Sequence, residues 1–302
     1  MDQLSKAFYE LKFKNYMYEK TGNEFEDFFA RIMMAKHKVD FIPCRAWGSD
    51  GDRKNDGYLV SMRHLFAVNG PETLNQSRMI EKIDTDFKGA LPHWDFDKWS
   101  FVHNQEALPP KIVEKILELA NEYRGRIAVN QWGPSKLKCL IFELADDLIN
   151  EILGPIPSIR EYAQLGFEDI QPIINAISRK PTPSEGDFIP VPENKLFING
   201  FSDAIIGVIK MGLTRASLVE QYLNMQPNIS LGDEIASTLS FEYIRMRDEM
   251  RLHPDAIYNG LFSFVCDGAK KDDVRYQVAV HTILAFFFEQ CTIFERIKNR
   301  NT

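Results

Sequence analysis

Residues 48–70 have the sequence GSDGDRKNDGYLVSMRHLFAVNG. The first half is a glycine-flanked loop with three aspartates, which are Asp50, Asp52 and Asp56. The second half contains two short apolar runs, 57–60 and 65–68, separated by the four residues SMRH. Two such runs at this separation are typical of a β-hairpin. The stretch therefore predicts an acidic loop that leads into two paired strands.

Upstream, an amphipathic helix is expected from residue 21 onward. Thr21 and Glu24 have the spacing of a capping box, and apolar residues then recur at helical intervals at Phe25, Phe28, Phe29, Ile32 and Met33. Residues 39–45 predict a first strand, and Pro43 favours an edge position for it.

Downstream of the hairpin, apolar spacing predicts a helix from Leu74, a strand over 99–104, a helix from Pro109 and a strand over 127–129. The order of elements is therefore α, β, β, β, α, β, then α, β. Beyond Pro134 we expect only helices, including one long helix from Leu137 to Leu153. The pattern predicts an α/β domain over residues 1–130, with an αβββαβ core, and an all-α domain over residues 131–302.

Bulk composition limits the possible classes of protein. The chain has 36 basic and 43 acidic residues and a net charge of −7, which argues against nucleic-acid binding through field strength alone. No apolar run is long enough to span a membrane, and the N-terminus lacks the pattern of a secretory signal. The four cysteines are widely spaced, which favours buried thiols in a reducing compartment. We therefore expect a cytoplasmic protein with no membrane partner, and the lack of a P-loop motif excludes ATP binding of that type.

The order of elements and the segment GDRKNDGY resemble the PD-(D/E)XK restriction-endonuclease-like fold, and more closely its Mrr-type branch. In that family, carboxylates from separate elements converge to hold a metal ion. The resemblance implies that Glu26 supplies the helix carboxylate, that Asp56 is the principal metal ligand and that Asp52 is the loop acid. It also implies Mg²⁺ or Mn²⁺ as the cofactor and DNA as the substrate.

The chain departs from the family on the third strand. The positions that usually carry Glu or Gln and Lys hold Ala67 and Asn69, which can supply neither a carboxylate nor a cation. One interpretation is that a residue of the following helix replaces the lost lysine; Gln76, Lys82 and Lys88 are the candidates, and we assign the catalytic role to Lys82. The other is that the fold serves DNA or partner binding, that the loop acids are turn residues, and that Glu26 is a solvated helix residue.

A wider resemblance covers GDRKNDGYL with a following GPE, FVHN, the helix that ends in GPIPS, KLFING and FFFEQCTIFE. These segments are similar to the larger subunits of bacterial ABC three-component conflict systems. The resemblance implies a subunit of an anti-phage or anti-plasmid defence complex. Its partners would be DNA, an ABC or SMC-like ATPase and a small middle component, and a homo-oligomer is compatible with it. A small-molecule enzyme in the helical half is a third class, which no motif supports.

Overall fold

The computed structural model describes residues 1–45, 53–180, 200–266, 270 and 273–290. The chain divides into two compact units. One consists of Phe13–Leu153 and is called the sheet unit below; the other combines Met1–Lys12 with Gly154–Thr302 and is called the helical unit.

The sheet unit contains five strands and the helices that cover them. Its elements are α1 (Gln3–Glu19, which begins in the helical unit), α2 (Gly22–His37), β1 (Phe41–Pro43), β2 (Gly57–Leu59), β3 (His64–Asn69), α3 (Gln76–Ala90), β4 (Lys98–His103), α4 (Pro110–Glu122), β5 (Ala128–Trp132), α5 (Pro134–Phe142) and α6 (Asp146–Leu153). From α2 to β5, this order confirms the predicted succession of helices and strands.

The sheet is mixed, with the strand order β1-β2-β3-β4-β5. The first three strands are antiparallel, and Gly57 pairs with Phe66 in the predicted hairpin. The last three are parallel, with Ala67 beside Phe101 in the register of β3 and β4. As expected, the strand that contains Pro43 lies at an edge, where its missing N–H breaks no ladder.

Helices cover both faces of this sheet. On one face, α3 and α4 bury an apolar cluster that includes Leu65, Ala67, Trp99 and Phe101. On the other face, α2 packs against the sheet through Phe29, whose ring lies 5.3 Å from that of Phe66. Side chains alternate along a strand, so each residue of β3 faces one helical layer or the other.

Several boundaries differ from the sequence-based expectations. Helix α1 was not predicted, because its buried residues lie all around its axis and leave no one-sided apolar stripe. The long helix expected over 137–153 is two helices, since the chain leaves the helix after Phe142 and restarts at Asp146. The expected domain boundary at residue 130 lies within β5, a strand that pairs with β4, and the compact unit continues to Leu153.

The helical unit agrees with the expected helical C-terminal region. Its helices are α7 (Ile159–Ala163), α8 (Phe167–Ile177), α9 (Asp203–Leu213), α10 (Ala216–Asn224), α11 (Leu231–Ile244), α12 (Pro254–Val265) and α13 (Val274–Glu289). Twelve consecutive residues of α13, from Gln277 to Phe288, are buried, so this helix forms the centre of the unit. Among the described residues, no helix is both long and apolar enough to cross a membrane.

The start of α2 is held by the end of β3. The N–H of Gly22 donates to the carbonyl of Gly70 at 2.7 Å, whereas Thr21 makes no side-chain cap, so the predicted capping box does not form. Gly70 is also very close to α2, since a Cβ at this position would lie 2.6 Å from the Cβ of Phe25. Phe25 is fully buried and has no room to move aside.

Gly70→Ala should therefore destabilise the sheet unit. Overpacking of this kind typically lowers the free energy of unfolding by about 1–3 kcal/mol, and thermal unfolding followed by circular dichroism measures it. Gly207→Ala is the matched control, because its new Cβ would make only an ordinary contact, 3.5 Å from Ala7, and alanine favours a helix interior. Equal melting temperatures for wild type and Gly70→Ala would contradict the proposed close approach.

Candidate functional site

Asp56 lies at the open end of the β2–β3 hairpin and is bonded to both neighbouring strands. Its N–H donates to the carbonyl of Phe66 at 2.9 Å, and its carbonyl accepts from the N–H of Cys44 at 3.3 Å. Its carboxylate Oδ2 accepts from the N–H of Val68 at 2.6 Å. This side chain is half-buried and held in one position by the sheet backbone.

The short segment before Asp56 is anchored by its own turn chemistry. Arg53 and Lys54 both have positive φ angles of 51° and 65°, which place them in the left-handed region. Asn55 is buried and accepts from the N–H of Gly57 at 2.8 Å, an Asx turn. The carbonyl of Arg53 accepts from the indole N–H of Trp94 at 3.0 Å. The segment therefore presents Lys54 in a defined direction, toward α3.

The side chain of Lys54 forms a salt bridge with Asp86. Its carboxylate is almost fully buried within α3 and binds two ammonium groups: Oδ2 lies 2.7 Å from Nζ of Lys82, and Oδ1 lies 3.2 Å from Nζ of Lys54. The Lys54 side chain reaches it across Gly89, where a Cβ would come within 2.9 Å of its Cγ. A buried carboxylate is tolerated only when its charge is compensated, and here two lysines from different segments compensate it.

Lys82 is the member of this ion-pair group that is affected by the acids predicted from the sequence. Burial lowers the pKa of Lys82, but the nearby negative charges of Asp86, Asp56 and Glu26 outweigh it, so the pKa lies above its ordinary value. Lys82 therefore carries its positive charge throughout the neutral range. The charges of Glu26 in α2 and Asp56 before β2 thus act on one lysine of α3, which brings the three predicted catalytic residues into one electrostatic cluster.

The other candidates on α3 have different surroundings. Lys88 binds Asp84 at 2.9 Å, and Lys115 binds the same aspartate at 2.7 Å. Gln76 is the first residue of the helix, six positions before Lys82. The charges of Asp56 and Glu26 raise the pKa of Lys82, whereas those of Asp84 and Glu122 raise the pKa of Lys88.

The structure also explains why the third-strand positions 67 and 69 differ in their tolerance of a charged side chain. Ala67 is 1% exposed and packs in the apolar cluster beneath α3 and α4, where a charged side chain would be expensive to bury. Asn69 projects from the same face two residues later, at the half-exposed end of the strand. Lys82 is carried by a helix that packs on this same face.

The predicted loop ligand, Asp52, lies outside the described residues. Among the residues that the structure describes, no group of three or more His, Cys, Asp or Glu side chains is arranged to hold a metal ion. Glu26 and Asp56, the other two predicted carboxylates, are both half-buried.

Sequence reasoning missed Asp86 and Lys54. One signal for Asp86 was available, because it lies beside Ile83 and Phe87 on the apolar side of an amphipathic helix, where a charged residue needs a partner. Lys54 had no such signal, since only the folded loop brings it to Asp86.

No protein-family model, curated protein or solved structure matches this chain.

Asp86→Asn removes the charge of the buried carboxylate with little change of shape. We expect the free energy of unfolding to fall by about 1–3 kcal/mol, because charge-assisted bonds to two lysines are lost while both lysines can still reach solvent. Urea denaturation at pH 7 measures this change.

Asp84→Asn is the matched control, since Asp84 also binds two lysines of the same unit but its side chain is 32% exposed, against 4% for Asp86. The free energy of unfolding of this variant should fall by less than about 1 kcal/mol. Equal losses of stability in the two variants would show that burial does not make the salt bridges of Asp86 more stabilising than those of Asp84.

Proposed function

We propose that this chain is a nuclease-like protein that acts on DNA, with a candidate phosphodiesterase site at Glu26, Asp56 and Lys82 in a restriction-endonuclease-like core. One arrangement carries the proposal: the Val68 N–H holds Asp56 at 2.6 Å and Asp86 holds Lys82 at 2.7 Å, and the charges of Asp56 and Glu26 raise the pKa of that lysine. The predicted order of elements from α2 to β4 supports it as well.

The residues present are compatible with a divalent metal. Mg²⁺ commonly binds one or two protein carboxylates and completes its shell with waters and substrate phosphate. Glu26 and Asp56 would hold it, with Asp52 as a further ligand. When bound, Mg²⁺ or Mn²⁺ would polarise the phosphate and neutralise its charge.

The chain's own residues have separable roles in this proposal. Asp56 is oriented by the Val68 N–H, which donates to its Oδ2 at 2.6 Å. Lys82 is a fixed cation, because its raised pKa keeps it protonated, and it would stabilise the negative charge that develops on phosphate. Asp86 holds this cation in place through a salt bridge. A lysine in that state does not serve as a general base.

The setting that we propose is a bacterial anti-phage or anti-plasmid defence complex. In this setting the sheet unit acts on DNA and the helical unit binds an ABC or SMC-like ATPase and a small middle component. The net charge of −7 supports a local DNA contact, assisted by a metal or a partner, over binding by a broad positive surface.

A second candidate is a catalytically inactive nuclease fold that serves as a DNA-binding or partner-binding scaffold or sensor. Two observations favour it. The third strand lacks both working side chains, at Ala67 and Asn69, and Lys82 is engaged by Asp86 at 2.7 Å. The two candidates share a fold and differ in whether phosphodiester bonds are broken.

Cleavage of supercoiled plasmid by the full-length protein, with Mg²⁺, Mn²⁺ or EDTA, tests the first candidate. The protein is assayed alone and together with the proteins encoded beside it. We expect metal-dependent nicking that falls about a hundredfold in Asp56→Ala, which removes a proposed metal ligand, and in Lys82→Met, which removes a cation that would stabilise transition-state charge. Lys82→Arg should retain most of the activity, because the proposed role needs a permanent cation.

Lys88→Met is the control on the same helix and should cleave like wild type. Loss of activity in Lys82→Arg equal to that in Lys82→Met would contradict the cationic role. Nicking that survives Asp56→Ala unchanged would overturn the site itself.

The scaffold candidate is tested by restoring the third strand. Asn69→Lys places a lysine at the half-exposed strand end, whereas a charge at Ala67 would have to enter the core. DNA binding without cleavage by wild type, together with cleavage by Asn69→Lys, would favour a nuclease fold that has lost its chemistry.

A further inference from the structure

A crevice of about 700 Å³ opens within the sheet unit at the carboxyl ends of the parallel strands. Residues that follow three different strands contribute to it. They are Pro71 and Glu72 after β3, Asn104 to Ala107 after β4, and Pro134 and Ser135, the first residues of α5, after β5. None of these residues belongs to the cluster formed by Glu26, Asp56 and Lys82.

The topology explains why a crevice forms at this place. After β4 the chain enters α4, which packs with α3 on one face of the sheet. After β5 it enters α5, which packs with α2 on the opposite face. Neighbouring parallel strands whose connections leave to opposite faces separate their loops, and ligands of open α/β sheets bind in the gap.

The lining combines a planar aromatic surface with amide groups. Tyr18 of α1 lines the crevice and is 51% exposed, and its hydroxyl donates to Oε1 of Glu106 at 3.4 Å. Beneath it lie the buried side chains of Phe13 and Met17. Gln105 donates one N–H to Oδ1 of Asn104 at 2.7 Å, which leaves its amide oxygen and second N–H for another partner.

The charged side chains of the lining are two lysines and the two glutamates named above, Glu72 and Glu106. Lys14 comes from α1 and Lys138 from the first turns of α5, and both are half-buried at the crevice. A stacking surface, an amide edge and ammonium groups within one space of this volume match the three parts of a nucleotide: the base face, the base edge and the phosphate.

We propose that this crevice binds a single nucleotide. The proposal deepens the proposed function, on which it rests for the source of the ligand, since the crevice adjoins the candidate phosphodiesterase site. Gly70 binds the first residue of α2, Pro71 and Glu72 follow it into the crevice, and Glu26 lies about one helical turn along α2. A nucleotide next to the scissile phosphate can therefore enter the crevice as its base unstacks.

Isothermal titration calorimetry of the full-length protein in EDTA tests this directly, with 5′-dAMP and the single strand dA8 as probes. We expect both to bind and Tyr18→Ala to weaken binding about tenfold or more, because a stacking surface is lost. Lys138→Met should weaken the binding of dAMP more than the binding of the nucleoside deoxyadenosine, which has no phosphate.

Matched variants distinguish the crevice from general effects. Tyr18→Phe keeps the ring and should bind dAMP within about twofold of wild type. Lys136→Met removes a cation of the same helix that does not line the crevice and should have no effect. All four variants alter exposed or half-buried side chains, and equal melting temperatures show that they fold.

The possible outcomes distinguish a nucleotide within a strand from a free nucleotide, and both from no binding. Binding of both probes assigns the crevice to a nucleotide within a strand, and binding of dAMP alone assigns it to a free nucleotide. Failure of dAMP to bind at millimolar concentration, or equal affinities for wild type, Tyr18→Ala and Lys138→Met, would overturn the proposal. Asp56→Ala should leave dAMP affinity unchanged. Absence of plasmid cleavage by the wild-type protein, with dAMP still bound, would overturn the nuclease function and leave the crevice proposal standing.

Discussion

The buried carboxylate of Asp86 organises the candidate site. A charge removed from water needs compensation by partners held in place, and Asp86 receives Lys82 from its own helix and Lys54 from the loop that precedes β2. The loop is thereby tied to α3 at the point where it delivers Asp56 to the hairpin. Without this interaction the loop would have its Asx turn and the Trp94 contact to define its path.

This arrangement also sets the chemistry that is open to the site. Three negative charges, from Asp86, Asp56 and Glu26, raise the pKa of Lys82 against the opposing effect of burial. A lysine that titrates above its ordinary range is a permanent cation at neutral pH, so its proposed contribution is electrostatic. In the proposed function, the two acids would bind a metal ion and the lysine would face a phosphate.

Two features of different origin meet at the carboxyl edge of the parallel strands. The acid and lysine cluster is placed by the antiparallel hairpin and by helices on both faces of the sheet. The crevice is placed by the change of face between the connections after β4 and β5. Gly70 links them, because it ends β3, begins the loop that enters the crevice, and accepts the first N–H of α2. Its lack of a side chain is needed for all three, since Phe25 occupies the space that a Cβ would fill.

The sequence by itself determined the succession of helices and strands from α2 to β5, the hairpin and the edge strand. Those features depend on local periodicity and on proline and turn residues, which are read within a few positions of the chain. The family resemblance pointed to Glu26 and Asp56 as candidate site residues, and the catalytic role of the lost lysine was assigned to Lys82, with Gln76 and Lys88 as the other candidates. Sequence reasoning missed α1, whose buried residues surround its axis, and the break between α5 and α6, where apolar spacing continues through the connection.

Only the tertiary structure decided that Asp86 binds Lys82 and Lys54, and that a crevice opens at the carboxyl ends of the parallel strands. The physical reason is that these properties depend on distances between residues far apart in the chain. Lys54 reaches Asp86 from 32 positions away, and the three segments of the crevice meet because parallel strands align their carboxyl ends. Local spacing carries no information about either.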